Sequence, residues 1–103
     1  MMTKIYSVYI MTNKPFGTLY VGVTNHLIRR VLEHKERPQG FVKEHCLNKL
    51  VYATCFYEIE KAIAHEKRLK KWQRHWKTSL IKRHNPLWED LTEYYRTEVF
   101  GLR

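Results

Sequence analysis

Two short runs near the start of the chain are rich in β-branched and aromatic residues and lie close together. They cover residues 5–11 (IYSVYIM) and 18–24 (TLYVGVT), and the segment between them contains a proline and a glycine. This pattern predicts a β-hairpin with a connection longer than two residues. Side chains alternate between the faces of a strand, so we expect Tyr9 and Tyr20 to share one face while the aliphatic residues form a core on the other.

A helix is predicted directly after the hairpin. Thr24 or Asn25 can cap it, and apolar residues at helical spacing continue to about Lys35. Arg30 and His34 are four positions apart, so they lie one turn apart on the same side of this helix.

The rest of the chain predicts a loop, a strand and two helices. These are a loop at 36–49, a third strand in KLVYATCFYE, a helix over 61–75 and a short helix over 78–84. Trp72 and Trp76 follow the apolar stripe of the longer helix, so they are assigned to the core.

The charge of the chain indicates the kind of partner. The 103 residues carry a formal net charge of +9, and 14% of them are aromatic. Such a surface is typical of proteins that bind nucleic acid, so DNA is the expected partner; an acidic membrane or simple solubility is the alternative. Cys46 and Cys55 show no CxxC spacing, and no apolar run is long enough to span a bilayer, so we expect a cytoplasmic protein with reduced thiols.

A single acid stands in one strongly basic stretch of the chain. Residues 61–88 contain nine Lys or Arg but only one carboxylate, Glu66. A lone carboxylate weakens phosphate binding unless it holds a divalent cation that bridges to the phosphate. The alternative is an ion pair with Lys70 at i,i+4. The basic residues of this stretch expected to contact DNA are Lys67, Lys70, Lys71 and Arg74.

An ordered series of residues resembles a known family. SVYI is followed, eleven positions from tyrosine to tyrosine, by YVG; Arg30 comes ten residues after Tyr20, and His34 four residues later. A later helix carries Ala62-xxx-Glu66, and LIKRHNP follows it. Over about residues 4–90 this series resembles the GIY-YIG nuclease domain, and in particular its small stand-alone bacterial members.

The resemblance implies a fold and a reaction. The implied fold is α+β, with a central three-stranded antiparallel sheet flanked by helices; residues 1–90 would form the catalytic domain and 91–103 a C-terminal tail. The implied reaction is hydrolysis of DNA phosphodiester bonds with one divalent metal, Mg²⁺ or Mn²⁺, in structure-selective repair or recombination. No small-molecule cofactor is implied.

The resemblance also implies a role for each residue of the series. Tyr9 and Tyr20 would orient or deprotonate the attacking water, Arg30 would bind the scissile phosphate and His34 would assist proton transfer. Glu66 would hold the metal, and we expect all five side chains to converge on one concave surface. A nearby cation or guanidinium favours the phenolate form of a tyrosine. Taken singly, the tyrosines can also be a cross-strand pair, and the Arg and His a solvated helix face.

Two positions depart from the family pattern. Ser7 replaces the glycine of the first motif, and Glu89 stands where many members carry an asparagine after the proline. Asn85, just before Pro86, is a candidate supporting residue. Lys43 lies in the loop where the family often carries a basic residue, so the resemblance makes it a further residue expected to contact DNA; the alternative is a solvent-facing loop lysine. The alternative to a nuclease is a nucleic-acid-binding module of the same fold with little or no catalytic activity.

Overall fold

The two β-like runs form a hairpin whose first strand is the centre of the sheet. The computed structural model describes residues 4–102. Its elements are β1 (Tyr6–Thr12), β2 (Leu19–Thr24), α1 (Leu27–Glu36), α2 (Gly40–Glu44), β3 (Lys49–Phe56), α3 (Ile59–Lys71), α4 (Arg74–His84), α5 (Thr92–Tyr94) and a π-helical turn at Tyr95–Val99. The strands are antiparallel in the order β2-β1-β3, which confirms the predicted α+β fold. No helix within residues 4–102 is both long and apolar enough to cross a membrane.

Each face of the sheet carries its own hydrophobic core. On one face, Val8 and Ile10 pack with buried residues of α3 and α4, among them Ala62, Leu69 and Ile81. On the other face, the buried cluster consists of Tyr9, Met11, Leu27, Val31, Val42, Leu47, Leu50 and Ala53. The aliphatic face is core as predicted, but the tyrosine face is covered as well, because α1 and α2 lie over it.

Helix α1 begins with a different cap from the one predicted. The N-cap is His26, whose Nδ1 accepts a hydrogen bond from the backbone N–H of Arg29 at 3.3 Å. Thr24 instead accepts the N–H of His26 at its Oγ1, at 3.0 Å. The prediction that Thr24 or Asn25 caps this helix is therefore wrong, because the strand ends at Thr24 and the helix starts only at Leu27.

The predicted loop at 36–49 contains the short helix α2. Val42 and Leu47 are buried on the second core and hold this segment against the sheet. A helix of five residues is little more than one turn, so the sequence carries too little periodicity to reveal it.

The two helices predicted over 61–75 and 78–84 are present as α3 and α4, but the break between them lies earlier in the chain than predicted. Trp72 and Gln73 both have extended backbone between α3 and α4, so the helical phase is reset there. Trp72 still packs against the first core. Trp76 lies on α4 and is 51% exposed, so its assignment to the core is wrong.

The segment that begins at Asp90 covers the free edge of β3. Asp90 Oδ1 accepts the N–H of Leu50 at 3.2 Å, and the Leu91 N–H donates to the Leu50 carbonyl at 2.7 Å. Further along the strand, the Tyr95 hydroxyl donates to the carbonyl of Ala53 at 2.7 Å. An unpaired strand edge invites intermolecular pairing, so these bonds protect β3.

Candidate active site

A direct hydrogen bond joins two of the predicted site residues. The Tyr9 hydroxyl, on the central strand, lies 2.9 Å from His34 Nε2, on α1. Tyr9 is fully buried and His34 is partly buried. Helix α1 packs on the tyrosine face of the sheet through Leu27 and Val31, and this packing brings the imidazole over the phenol.

Tyr20 completes an aromatic cluster with this pair. Its ring centroid lies 6.2 Å from that of Tyr9 and 5.6 Å from that of His34, edge-on to the imidazole. Tyr20 is on the edge strand β2 and is only partly buried. The prediction that the two tyrosines share a face is confirmed, and His34 lies on the same face.

Gly22 makes room for the buried phenol. It pairs with Tyr9 across the β1–β2 ladder, and a Cβ added to it would lie 2.6 Å from both Cζ and Oη of Tyr9. Any side chain larger than hydrogen would therefore displace the Tyr9 ring. Sequence reasoning gave Gly22 no role, although its place in YVG, two residues after Tyr20, was the available signal.

Arg30 acts on the Tyr9 phenol, but burial outweighs its effect. Burial and the neighbouring Tyr20 raise the pKa of Tyr9 well above its ordinary value, while the Arg30 guanidinium opposes this rise. The guanidinium thus acts in the expected direction, yet Tyr9 keeps its proton at neutral pH. The Nε of Arg30 also lies 3.6 Å from Oε2 of Glu33. The Arg30 side chain is 42% exposed, so its charge can reach a bound anion.

His34 is held in its neutral form. Burial and the nearby Arg30 lower the pKa of His34, and Glu33 only partly offsets them. A neutral imidazole at pH 7 can accept a proton, which is the property required of a general base.

Glu66 lies in an ion pair with Lys70. The Lys70 Nζ is 3.0 Å from Glu66 Oε2, and the Glu66 side chain is only 14% exposed. The structure therefore contains the i,i+4 ion pair that is the alternative to a metal site at Glu66. Within residues 4–102, Glu66 makes no hydrogen bond or ion pair with Tyr9, Tyr20, Arg30 or His34.

The helical phase of α3 places Glu66 on the same side of the helix as Ile59 and Ile63. The buried residues of α3 pack on the sheet face opposite Tyr9. Ile59 and Ile63, however, line a cleft of about 270 Å³ together with Arg30 at the β2 edge. Glu66 follows Ile59 and Ile63 at i+7 and i+3, so it shares their side of the helix. The structure brings Tyr9, Tyr20, Arg30 and His34 together. The convergence of Glu66 with these four residues stays a prediction.

A single carboxylate fits one kind of metal site. Residues 4–102 contain no group of three or more His, Cys, Asp or Glu that could enclose a metal ion. Mg²⁺ in phosphoryl-transfer sites is commonly bound by one or two carboxylates, with water and substrate phosphate as the other ligands. Glu66 fits that role, with one of its oxygens shared with Lys70. It does not fit a site built only from protein ligands.

The predicted DNA-binding residues have different surroundings. Lys43 on α2 and Lys67 and Lys71 on α3 are exposed to solvent, whereas Lys70 is paired with Glu66. Arg74 differs from them, because its guanidinium donates to two backbone carbonyls of the β1–β2 connection. Arg74 therefore fixes the hairpin to the start of α4, and its predicted contact with DNA stays a prediction.

Asn85 is a buried residue that joins two backbone segments. Its Nδ2 donates to the carbonyls of Val51, at 3.2 Å, and Glu89, at 2.8 Å. Its Oδ1 accepts the N–H of Glu89 at 3.1 Å. These bonds give Asn85 a structural role in the turn after α4, and its supporting role in the site stays a prediction.

Comparison with known proteins gives one result. A family model described as the GIY-YIG catalytic domain matches residues 5–85 of the 103. No curated protein and no solved structure matches the chain significantly. The matched segment contains Gly22 and all five residues of the series that runs from Tyr9 to Glu66. The chain therefore belongs to the GIY-YIG family of nucleases.

Proposed function

We propose that the protein is a divalent-metal-dependent endonuclease that hydrolyses phosphodiester bonds in DNA. The observation that carries this proposal is the 2.9 Å hydrogen bond between Tyr9 Oη and His34 Nε2, beside Arg30, in a chain of a nuclease family. His34 is a neutral base and Arg30 a permanent cation beside it. Phosphodiester hydrolysis uses two groups of these kinds.

His34 is the proposed proton acceptor and Tyr9 its positioning residue. Tyr9 is fully buried, and its hydroxyl oxygen would accept the Nε2–H of His34, which holds the imidazole in place as the tautomer whose Nδ1 is free to take a proton. Tyr20, which is partly exposed and packs edge-on against the same imidazole, is the residue proposed to orient the attacking water. As the water oxygen forms its bond to phosphorus, the bond from phosphorus to the leaving deoxyribose oxygen breaks, the proton of the water passes to Nδ1 of His34, and the leaving oxygen takes a proton from solvent.

Arg30 is the proposed phosphate ligand. A guanidinium never loses its charge at working pH, and it can donate two parallel hydrogen bonds to phosphate oxygens. Glu66 would hold Mg²⁺ or Mn²⁺, and the metal would supply positive charge to the phosphate as negative charge develops on it.

The substrate we propose is branched, damaged or single-stranded DNA, cut during repair or recombination in the cytoplasm. Lys43, Lys67 and Lys71 are exposed cations, and cations attract phosphates of any base sequence. Contacts of this kind support selection by the shape of the DNA rather than by a long recognition sequence.

The alternative function is nucleic-acid binding with little or no cleavage. It is favoured by the Glu66–Lys70 ion pair, since a lysine on the carboxylate competes with a metal ion for it. The same basic surface would then serve binding alone.

Cleavage by the wild-type protein tests the proposal. Labelled single-stranded, flap and duplex DNA of one sequence are incubated with the purified protein and Mg²⁺ or Mn²⁺, with and without a chelator. We expect cleavage that the chelator abolishes, and faster cleavage of the single strand and the flap than of the duplex. If no DNA in the panel is cut, the binding function replaces the nuclease.

A further inference from the structure

A pair of neighbouring rings, tilted by 45° to each other, extends the aromatic cluster to the protein surface. The Phe41 ring centroid lies 6.5 Å from that of Tyr20 and 4.3 Å from that of His45. Phe41 is 47% exposed, and His45 is exposed as well. The rings therefore form a continuous series from the buried Tyr9, through His34 and Tyr20, to solvent at α2.

The backbone holds these two rings in place. Val42 and Leu47 are almost fully buried in the second core, one on each side of the turn that carries His45. The N–H of His45 donates to the Phe41 carbonyl at 3.1 Å, and the N–H of Leu47 donates to the Val42 carbonyl at 3.1 Å. Phe41 and His45 are thus neighbours at i and i+4 on the outer side of an anchored segment.

We propose that Phe41 and His45 form a stacking platform for an unpaired nucleobase next to the scissile phosphate. The proposal rests on the proposed function, because the contact of Phe41 with Tyr20 places the platform beside the catalytic residues. Aromatic side chains in proteins that bind single strands stack on bases of any type. A base within a duplex has both faces covered by its neighbours, so it is not available to such a platform.

The charge around the platform favours a nucleotide as the occupant. Lys43 is exposed on the same short helix, where Glu44 is the exposed acid, and the chain as a whole carries a net charge of +9. An apolar ring beside a cation, next to a phosphate-binding site, suits a base and its attached phosphate. The platform would therefore select DNA that is single-stranded or frayed at the position of the cut.

Replacing Phe41 by alanine tests the platform. Binding of a labelled single strand and of a duplex of the same sequence is measured by fluorescence anisotropy in chelator, and cleavage of both is measured with Mg²⁺. We expect Phe41→Ala to weaken single-strand binding by about tenfold and to leave duplex binding nearly unchanged. Tyr57→Ala is the matched control, since Tyr57 is an exposed aromatic residue outside the ring series and should affect neither.

A strand with one abasic nucleotide gives a second measurement. Moved along the strand, the abasic site should weaken wild-type binding at one position near the cut, and at that position it should have no further effect in Phe41→Ala. Phe41→Leu keeps an apolar side chain without the aromatic face, so it should show the same loss of single-strand binding. This variant replaces Phe41→Ala in the test if Phe41→Ala does not fold.

The outcomes separate the platform from the nuclease. If wild-type cleavage is chelator-sensitive but the Phe41 variants bind and cut single strands as well as the wild type, the platform is overturned and the nuclease stands. An equal loss on single strand and duplex also overturns it. If no DNA is cut but Phe41→Ala still loses single-strand binding, the platform stands and the nuclease fails.

Discussion

Replacing Gly22 by alanine should destabilise the protein and abolish cleavage through one displacement. The new Cβ would lie 2.6 Å from Cζ and Oη of Tyr9, far inside van der Waals contact. Tyr9 is fully buried and its hydroxyl lies 2.9 Å from His34, so the ring cannot move without changing the geometry of the proposed base. Overpacking of this kind costs about 1–3 kcal/mol. We expect a loss of that size in the free energy of unfolding, measured in urea, and no cleavage by the variant.

A double-mutant cycle with Tyr9→Leu identifies the cause. Tyr9→Leu removes the ring atoms that the new Cβ would meet, so Gly22→Ala should cost much less stability in that background. Cleavage should stay absent in the double variant, because the hydroxyl that holds His34 is missing. If Gly22→Ala costs the same stability in both backgrounds, the contact with Tyr9 is not what requires the glycine.

Replacing Arg30 by alanine should remove most of the cleavage rate without unfolding the protein. Arg30 is partly exposed, lines the cleft at the β2 edge and acts on both Tyr9 and His34. Removing a charged ligand of the transition state typically lowers the rate about 10²-fold or more. We expect a loss of that order in single-turnover cleavage with excess protein. The pKa of His34, followed by NMR, should rise towards its ordinary value, since Arg30 lowers it.

Arg29 offers a matched control on the same helix. The Nε atoms of Arg29 and Arg30 each lie 3.6 Å from a carboxylate oxygen of Glu33. The Arg29 side chain, however, is 63% exposed and does not line the cleft. Arg29→Ala removes the same charge and should keep both the cleavage rate and the His34 pKa close to those of the wild type. Equal losses in the two variants would contradict a specific role for Arg30, because general attraction of DNA to this helix would then account for both.

The hairpin and its tyrosines could be predicted because their signals are local. Alternating β-branched and aromatic residues in two adjacent runs indicate the strands and their faces, and the spacing of Arg30 and His34 needs only the geometry of one helix. The role of Gly22 could not be predicted in this way. It depends on the register that sets Gly22 opposite Tyr9, and the strand pattern alone does not fix that register.

The features that sequence reasoning missed depend on distant contacts. Asn85 is bonded to the Val51 carbonyl, 34 positions away, and the Tyr95 hydroxyl to the Ala53 carbonyl, 42 positions away. The assignment of Trp76 to the core is wrong because two extended residues after α3 reset the helical phase, and no Pro or Gly marks that break. The Glu66–Lys70 ion pair, by contrast, is local and is one of the two alternatives that the sequence predicts for Glu66, the other being a metal ligand.

The metal dependence of cleavage by Glu66→Gln tests the role of Glu66 most directly. Glutamine keeps the size of the side chain but removes the charge, while Glu60→Gln makes the same change at an exposed position in the first turn of α3. The rate of cleavage of the labelled single strand is measured across a titration of Mg²⁺ or Mn²⁺ for both variants and the wild type. We predict no cleavage by Glu66→Gln at any metal concentration, equal or tighter DNA binding in chelator, and wild-type behaviour for Glu60→Gln. Wild-type rates from Glu66→Gln, or cleavage by the wild type in chelator, would contradict a metal-dependent nuclease that holds its metal at Glu66.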